Sequence, residues 1–193
     1  YKQIIRTSIK SFCLKQWRID LICEQYYNMQ KRIYSYKRIC TQFAERQKAG
    51  VGMASPKSCA ILGHNPMRFA WGFEEEAAEC HDMKMELAQQ IMVLRQQGVT
   101  HFSVACDYGV GLYAAEIINA LRNDDSELML FCITPYEEQA TKWTPALRER
   151  YFDMLIKCTH MTAVSLHNQP DAQLEAYRAI IRQSDMVLAV YGD

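Results

Sequence analysis

The sequence predicts an α/β fold, in which a parallel sheet of about five strands carries helices on both faces. Two observations support this prediction. Short apolar runs alternate with amphipathic segments from residue 58 onward, and turn-forming residues separate many of them. The chain has 193 residues, of which 49% are hydrophobic, enough for one domain or for one domain with an appendage.

The predicted elements follow one another along the chain. Apolar runs of five or six residues are typical of strands that are buried on both faces, and they predict strands over residues 58–62, 101–106, 128–133, 161–166 and 186–190. Helical spacing predicts helices over residues 82–97, 111–122, 145–158 and 171–183. Gly98 ends the first helix, Pro145 lies in the first turn of the third, and Asp171 is expected to cap the fourth. We therefore expect a Rossmann-like domain over residues 58–193.

Residues 1–57 differ from this domain in composition. Residues 1–52 contain eleven of the 22 Lys and Arg residues and only three acidic residues, whereas the rest contains eleven basic and nineteen acidic residues. Three explanations remain open: sequence upstream of a start at Met53, a helical appendage, or a basic arm for nucleic acid. Upstream sequence is the favoured explanation, and the loose helical spacing over residues 1–48, with a possible helix over 26–47, is what the appendage would need.

Several classes of protein are excluded by composition and motifs. No apolar run is long enough to span a membrane, and no apolar segment typical of a signal peptide follows the basic start. The eight cysteines are scattered and form no C-x-x-C pair, which favours reduced thiols and a cytoplasmic location. Cys80, His81 and Asp82 lack a second pair of ligands at metal-binding spacing, so we expect no metal site.

Ligands of parallel α/β sheets bind at the carboxyl ends of the strands, so the loops that follow the strands are the candidate sites. The first loop contains Gly63, His64 and Asn65, where glycine allows close approach and the next two side chains offer donors. An ordinary strand exit with a solvent-exposed histidine is the alternative.

The second loop contains Gly109, Val110 and Gly111 at the start of a helix, where free backbone N–H groups favour an anion. The complete dinucleotide fingerprint is absent. Asp107 opposes phosphate binding because it places a negative charge beside this loop.

The third loop contains Thr134, Pro135, Gln139 and Trp143. In a helix, Gln139 and Trp143 would share one face, so that the amide could bind a base or ribose while the indole stacks. The alternative, favoured on the residues alone, is that Trp143 fills the space between helix and sheet.

Taken together, these loops resemble the SLOG superfamily, a Rossmann-like group that includes the DprA and Lonely Guy proteins, and within it the YpsA-like branch of Firmicutes bacteria. The resemblance covers residues 59–193. Its anchors are Gly63-His64 with Pro66, Trp71-Gly72, residues 98–102, Gly109-Val110 with Ala114-Ala115-Glu116, Pro135 with Glu138-Gln139 and Trp143, and Ser184-Asp185 before residues 188–191.

The resemblance implies that the domain binds or senses a nucleotide-derived ligand, such as a nucleotide or an ADP-ribose-like molecule, as a regulatory rather than a catalytic protein. The implied binding residues are Gly63, His64, Asn65, Gly109, Val110, Gly111, Thr134, Pro135, Gln139 and Trp143. The resemblance also implies that the domain lacks a Gly-rich segment at its C-terminus, and it leaves a homo-oligomer open.

Two further functions come from other branches of the superfamily. A Lonely Guy type hydrolase would cleave the glycosidic bond of a nucleoside monophosphate, with Glu116 as the candidate acid or base. A DprA type protein would bind single-stranded DNA, but the acidic balance of residues 58–193 argues against nucleic acid.

The chain departs from the family pattern inside the candidate loops. Asn65 stands where the family usually has arginine, Asp107 where it has a small residue, and Gly111 where it has aspartate. These differences change the groups that a ligand would meet.

Overall fold

A computed structural model describes residues 11–12, 36–44 and 57–192 of the chain. In these residues one mixed sheet is flanked by four α-helices. The strands are β1 (Ser11–Phe12), β2 (Tyr36–Ala44), β3 (Lys57–Gly63), β4 (Val99–Val104), β5 (Met129–Tyr136), β6 (His160–Ser165) and β7 (Met186–Gly192). The helices are α1 (Ala78–Gln96), α2 (Val110–Leu121), α3 (Pro145–Lys157) and α4 (Ala172–Arg182).

The sheet has the strand order β1-β2-β7-β3-β4-β5-β6. The five strands from β7 to β6 are all parallel, with β3 paired to β7 and to β4 in the middle. The predicted parallel sheet of five strands is therefore confirmed, and each strand lies where its apolar run predicted it.

Helices cover both faces of the sheet, as predicted. Successive side chains of a strand point to opposite faces, and β3 accordingly sends Cys59 and Ile61 into one core and Ala60 and Leu62 into another. The first core is completed by α1, α2 and α3, and the second by α4. The Rossmann-like α/β class is thus confirmed.

The helix ends follow local signals in most cases. Thr144 caps α3 by accepting a hydrogen bond from the Leu147 amide at 3.4 Å, with Pro145 in the first turn. Gly98 has a φ of 89°, the left-handed conformation expected just after a helix. Asp171 stands at the N-cap of α4, but its side chain makes no capping bond, so its predicted role is wrong.

The helix predicted over residues 26–47 is wrong for residues 36–44, which form β2. This segment contains β-branched and aromatic residues that favour strands, and β2 pairs antiparallel with β7, so that β7 is no longer an edge of the sheet. The loose helical pattern is also wrong for residues 11–12, which pair with β2 as β1. The described residues do not include 1–10, 13–35 and 45–56. The hypotheses of a start at Met53 and of a basic arm fall outside the described residues.

In the part of the chain that the structure describes, no helix combines the length and the apolar character needed to cross a membrane. Cys59, Cys80, Cys106, Cys132 and Cys158 are free thiols, and burial raises the pKa of Cys59 to about 12, so that its thiol is protonated at neutral pH.

Candidate functional site

An open pocket of about 680 Å³ lies at the carboxyl edge of the sheet. Its walls come from the loops that follow β3, β4 and β5 and from the first turns of α3 and α4. Aromatic, charged and amide side chains line it, among them Phe73, Tyr108, Trp143, Asp107, Lys142, Arg150, Asn65, Gln139 and Gln173. This is the edge at which ligands bind in open parallel sheets.

The loop after β3 is packed tightly against the start of α2. A Cβ atom on Gly63 would lie 1.9 Å from the Cβ of Val110, so the two segments can approach this closely only with glycine at position 63. Asn65 follows and accepts a hydrogen bond from the Met67 amide at 3.0 Å, which begins a short 3-10 helix at Pro66. Of these residues only Asn65 lines the pocket, and it is exposed.

His64 is buried, with 4% of its surface exposed, and it does not line the pocket. Its amide donates to the Val190 carbonyl at 3.1 Å, and its ring lies 5.9 Å from that of Phe69. Burial, helped by the positive charge of Arg68, lowers the pKa of the imidazole to about 4. His64 is therefore neutral at physiological pH and is part of the packing behind the loop.

The backbone of the loop after β4 has positive φ angles at two residues and lies close to the loop after β3. Cys106 has a φ of 54°, and Gly109 has a φ of 112°. A Cβ on Gly109 would lie 2.8 Å from Pro66, so this glycine is needed both for its conformation and for contact with the first loop. The loop then turns directly into α2.

Asp107 lies at this turn and is oriented by two neighbours. Its Oδ2 accepts a hydrogen bond from the Tyr177 hydroxyl at 3.0 Å, and its Oδ1 lies 2.4 Å from the point where a Cβ of Gly111 would be. Burial raises the pKa of the carboxyl to about 6, against the opposing effect of the Tyr177 hydrogen bond. At neutral pH the pocket therefore contains a carboxylate in contact with the first turn of α2.

The loop after β5 is held by hydrogen bonds from inside the protein. The Gln139 Nε2 donates to the Cys106 carbonyl at 2.8 Å, which joins this loop to the loop after β4. Thr134 and Pro135 were predicted in this loop, but they lie in the last part of β5, where both are buried and the Pro135 carbonyl accepts a hydrogen bond from the Ser165 hydroxyl at 3.2 Å. Gln139 lines the pocket, but its amide nitrogen is already engaged with the backbone.

An aromatic wall, formed by Phe73, Tyr108 and Trp143, lines the pocket. The rings of Phe73 and Tyr108 are stacked, with centroids 5.6 Å apart and planes 12° apart. Trp143 lies 6.1 Å from Tyr108 and packs edge-on against Tyr151 at 5.2 Å. Trp143 thus lines the pocket and also packs against α3, while the stacking of a ligand on its indole stays a prediction.

A charged cluster, formed by Lys84, Glu75, Arg150 and Glu116, lies beside the pocket. The Arg150 guanidinium donates to Glu116 at 2.8 and 2.9 Å and to Glu75 at 2.8 Å, and Lys84 donates to Glu75 at 2.6 Å. Burial alone would raise the pKa of Glu75, but the hydrogen bonds from Arg150 and Lys84 outweigh it and lower that pKa. Glu116 itself does not line the pocket, although its partner Arg150 does.

The structure divides the predicted binding residues into three groups. Asn65, Gln139 and Trp143 line one pocket, whereas Gly63, Gly109, Val110 and Gly111 shape the loops behind it, and His64, Thr134 and Pro135 are buried outside it. The sequence reasoning missed Phe73, Tyr108, Lys142, Arg150 and Gln173 as lining residues. Tyr108 and Lys142 lie within the candidate loops, so their position in the sequence could have identified them as lining residues.

The chain is similar to proteins of known families over the same region. A model of the YspA SLOG family matches residues 59–193. A UPF0398 protein of Halalkalibacterium halodurans is 29% identical over 113 residues, which are 58% of this chain and 60% of the relative. A UPF0398 protein of Bacillus cereus strain B4264 is 25% identical over 140 residues, 71% of this chain and 75% of the relative. The chain therefore spans about three fifths of the first relative and three quarters of the second.

Proposed function

The chain belongs to the YspA SLOG family, and we propose on that basis that its pocket binds a nucleotide-derived ligand in a sensing or regulatory role. The observation that carries the proposal is the aromatic wall of Phe73, Tyr108 and Trp143 at the carboxyl edge of the sheet. A base can stack on such rings, at about 1–3 kcal/mol per base. Lys142, Asn65 and Gln173 provide hydrogen-bonding groups beside the wall.

A binding role is favoured over a catalytic one by the state of the carboxyl groups. Asp107 is the one carboxylate among the lining residues in the described part of the chain, and it is hydrogen-bonded to Tyr177. Glu116, the candidate acid or base, is held by two hydrogen bonds from Arg150 and lies outside the lining. A general acid or base must reach the atom that it protonates or deprotonates, and Glu116, the candidate for hydrolysis, does not reach the pocket lining.

The proposal is tested by measuring the thermal stability of the full chain with a panel of nucleosides, nucleotides, ADP-ribose and nicotinamide dinucleotides. A ligand that binds only the folded protein adds about 2.7 kcal/mol at 100 times its Kd. We expect at least one member of the panel to raise the melting temperature in a saturable way, with a Kd that calorimetry reproduces.

Ribose and inorganic phosphate at the same concentrations are the controls, since neither can stack on the aromatic wall. No stabilisation by any member of the panel, or equal stabilisation by the two controls, would overturn the proposal.

A further inference from the structure

The start of α2 is the place where a parallel α/β fold would hold a phosphate, because its backbone N–H groups and helix dipole favour an anion. Here that position is approached by the protein's own Asp107. The Asp107 Oδ1 lies 2.4 Å from the point that a Cβ atom would occupy at position 111. Glycine at that position therefore leaves room for this oxygen. Tyr177 donates to the other oxygen at 3.0 Å and fixes the carboxylate.

The cations near the pocket balance the carboxylates and leave no surplus of positive charge. Arg150 lines the pocket, but it is bonded to two carboxylates, Glu75 and Glu116, and Lys84 is the second cation of that cluster. The cluster is therefore neutral. Among the other lining residues that the structure describes, Lys142 is the one cation and Asp107 the one carboxylate. Such a lining has no surplus positive charge to offer a di- or triphosphate.

The aromatic wall is independent of this charge balance. Phe73 and Tyr108 are stacked on each other, and Phe73 is 56% exposed, so a flat ring can reach the wall from solvent. A carboxylate accepts hydrogen bonds, and it therefore selects a ligand that carries hydroxyl or amino donors.

We propose that the pocket selects an uncharged nucleoside, with its base on the wall of Phe73, Tyr108 and Trp143 and a hydroxyl or amino group donating to Asp107, and that it disfavours nucleoside di- and triphosphates. This inference rests on the proposed function and narrows its ligand class.

The test is calorimetry on the full chain with adenosine, guanosine, cytidine and uridine and with their 5′-diphosphates, in one buffer near pH 8 where Asp107 is ionised. We expect at least one nucleoside to bind about tenfold or more tightly than its diphosphate, because repulsion between like charges in a partly buried pocket is weakly screened. Asp107→Asn keeps the shape and removes the charge, and we expect it to reduce that ratio to about threefold or less.

Asp124→Asn, in the exposed turn after α2, is the matched control and should leave the ratio unchanged. If Asp107→Asn does not fold, Asp107→Ser provides a smaller neutral side chain facing Gly111. A diphosphate that binds the unmodified protein as tightly as its nucleoside, or a ratio that the neutral variants do not change, overturns this inference and leaves the proposed function standing. No binding by any nucleoside, nucleotide, ADP-ribose or nicotinamide dinucleotide overturns both.

Discussion

The Gln139 side chain donates a hydrogen bond of 2.8 Å to the carbonyl oxygen of Cys106. This bond joins the loop after β5 to the loop after β4, at a residue whose backbone has a φ of 54°. Both groups are buried. The side chain that the sequence offered as a contact to the ligand therefore also fixes the shape of the pocket.

Replacing Gln139 with methionine should destabilise the fold. The change leaves the buried Cys106 carbonyl without its donor, which costs about 1–3 kcal/mol. Chemical unfolding in urea measures the difference in the free energy of unfolding. Gln89→Met, at an exposed position of α1, is the matched control and should change stability by about 0.5 kcal/mol or less. Equal stabilities of the two variants would contradict the assigned role.

Replacing Gly63 with alanine should be strongly destabilising, because the new Cβ would lie 1.9 Å from the Cβ of Val110. Overpacking of this kind costs about 1–3 kcal/mol or more. Val110→Gly removes the opposing atom, so the double variant should recover part of the loss relative to Gly63→Ala in a double-mutant cycle. Strictly additive effects of the two changes would show that the contact does not matter.

Asp107 and His64 should affect stability in opposite directions over the same pH range. In the folded protein the pKa of Asp107 is raised from 3.8 to about 6. The stability that this group contributes to the folded state is therefore fully present below pH 3.8 and is lost as the pH rises through 6. In the folded protein the pKa of His64 is lowered from 6.5 to about 4. The stability that this group contributes to the folded state is therefore present above pH 6.5 and is lost as the pH falls through 4. Each is worth at most about 3 kcal/mol.

Unfolding curves between pH 4 and pH 6.5 should therefore separate the two groups. Relative to the unmodified protein, Asp107→Asn should make the free energy of unfolding rise more steeply with pH, because the opposing Asp107 effect is removed. His64→Gln should shift the slope of that free energy in the opposite direction, because the His64 effect is removed. Parallel pH profiles for all three proteins would contradict both assignments.

Glu116→Gln should have a small effect on stability and on ligand binding. The Glu116 side chain is 38% exposed, and an ion pair at that exposure contributes about 0–1 kcal/mol. The Kd of any uncharged nucleoside that binds should change by about twofold or less, since Glu116 lies outside the pocket lining. If the protein releases free base from a nucleoside monophosphate and Glu116→Gln abolishes that release, the hydrolase hypothesis is supported instead.

The fold of residues 58–190 could be predicted from the sequence, because a strand buried on both faces is a short apolar run and a covering helix is amphipathic. The strand that residues 36–44 form could not be predicted from the sequence. Its pairing partner β7 lies more than a hundred residues further along the chain, and local helical spacing carries no information about that contact.

The sequence predicted the location of the site, at the loops that follow the strands, but not which side chains line it. Gly109 correctly indicated a tight turn, and Gly63 a close approach of two segments, but the sequence could not distinguish glycines that shape a pocket from residues that line it. Phe73 was missed because it lies on no predicted element, and its stacking on Tyr108 joins residues 35 positions apart. The pairing of Arg150 with Glu116 joins residues 34 positions apart, which no local pattern indicates.

The central claim is that the wall of Phe73, Tyr108 and Trp143 binds the ligand. It is tested most directly by calorimetric titration of the tightest-binding member of the panel into Phe73→Leu and Phe152→Leu, two substitutions of similarly exposed phenylalanines, 56% and 53%, of which only Phe73 lines this pocket. Loss of one aromatic contact should raise the Kd for Phe73→Leu about threefold to tenfold, and Phe152→Leu should leave it unchanged. An unchanged Kd in Phe73→Leu, or an equal loss in both variants, would contradict the claim.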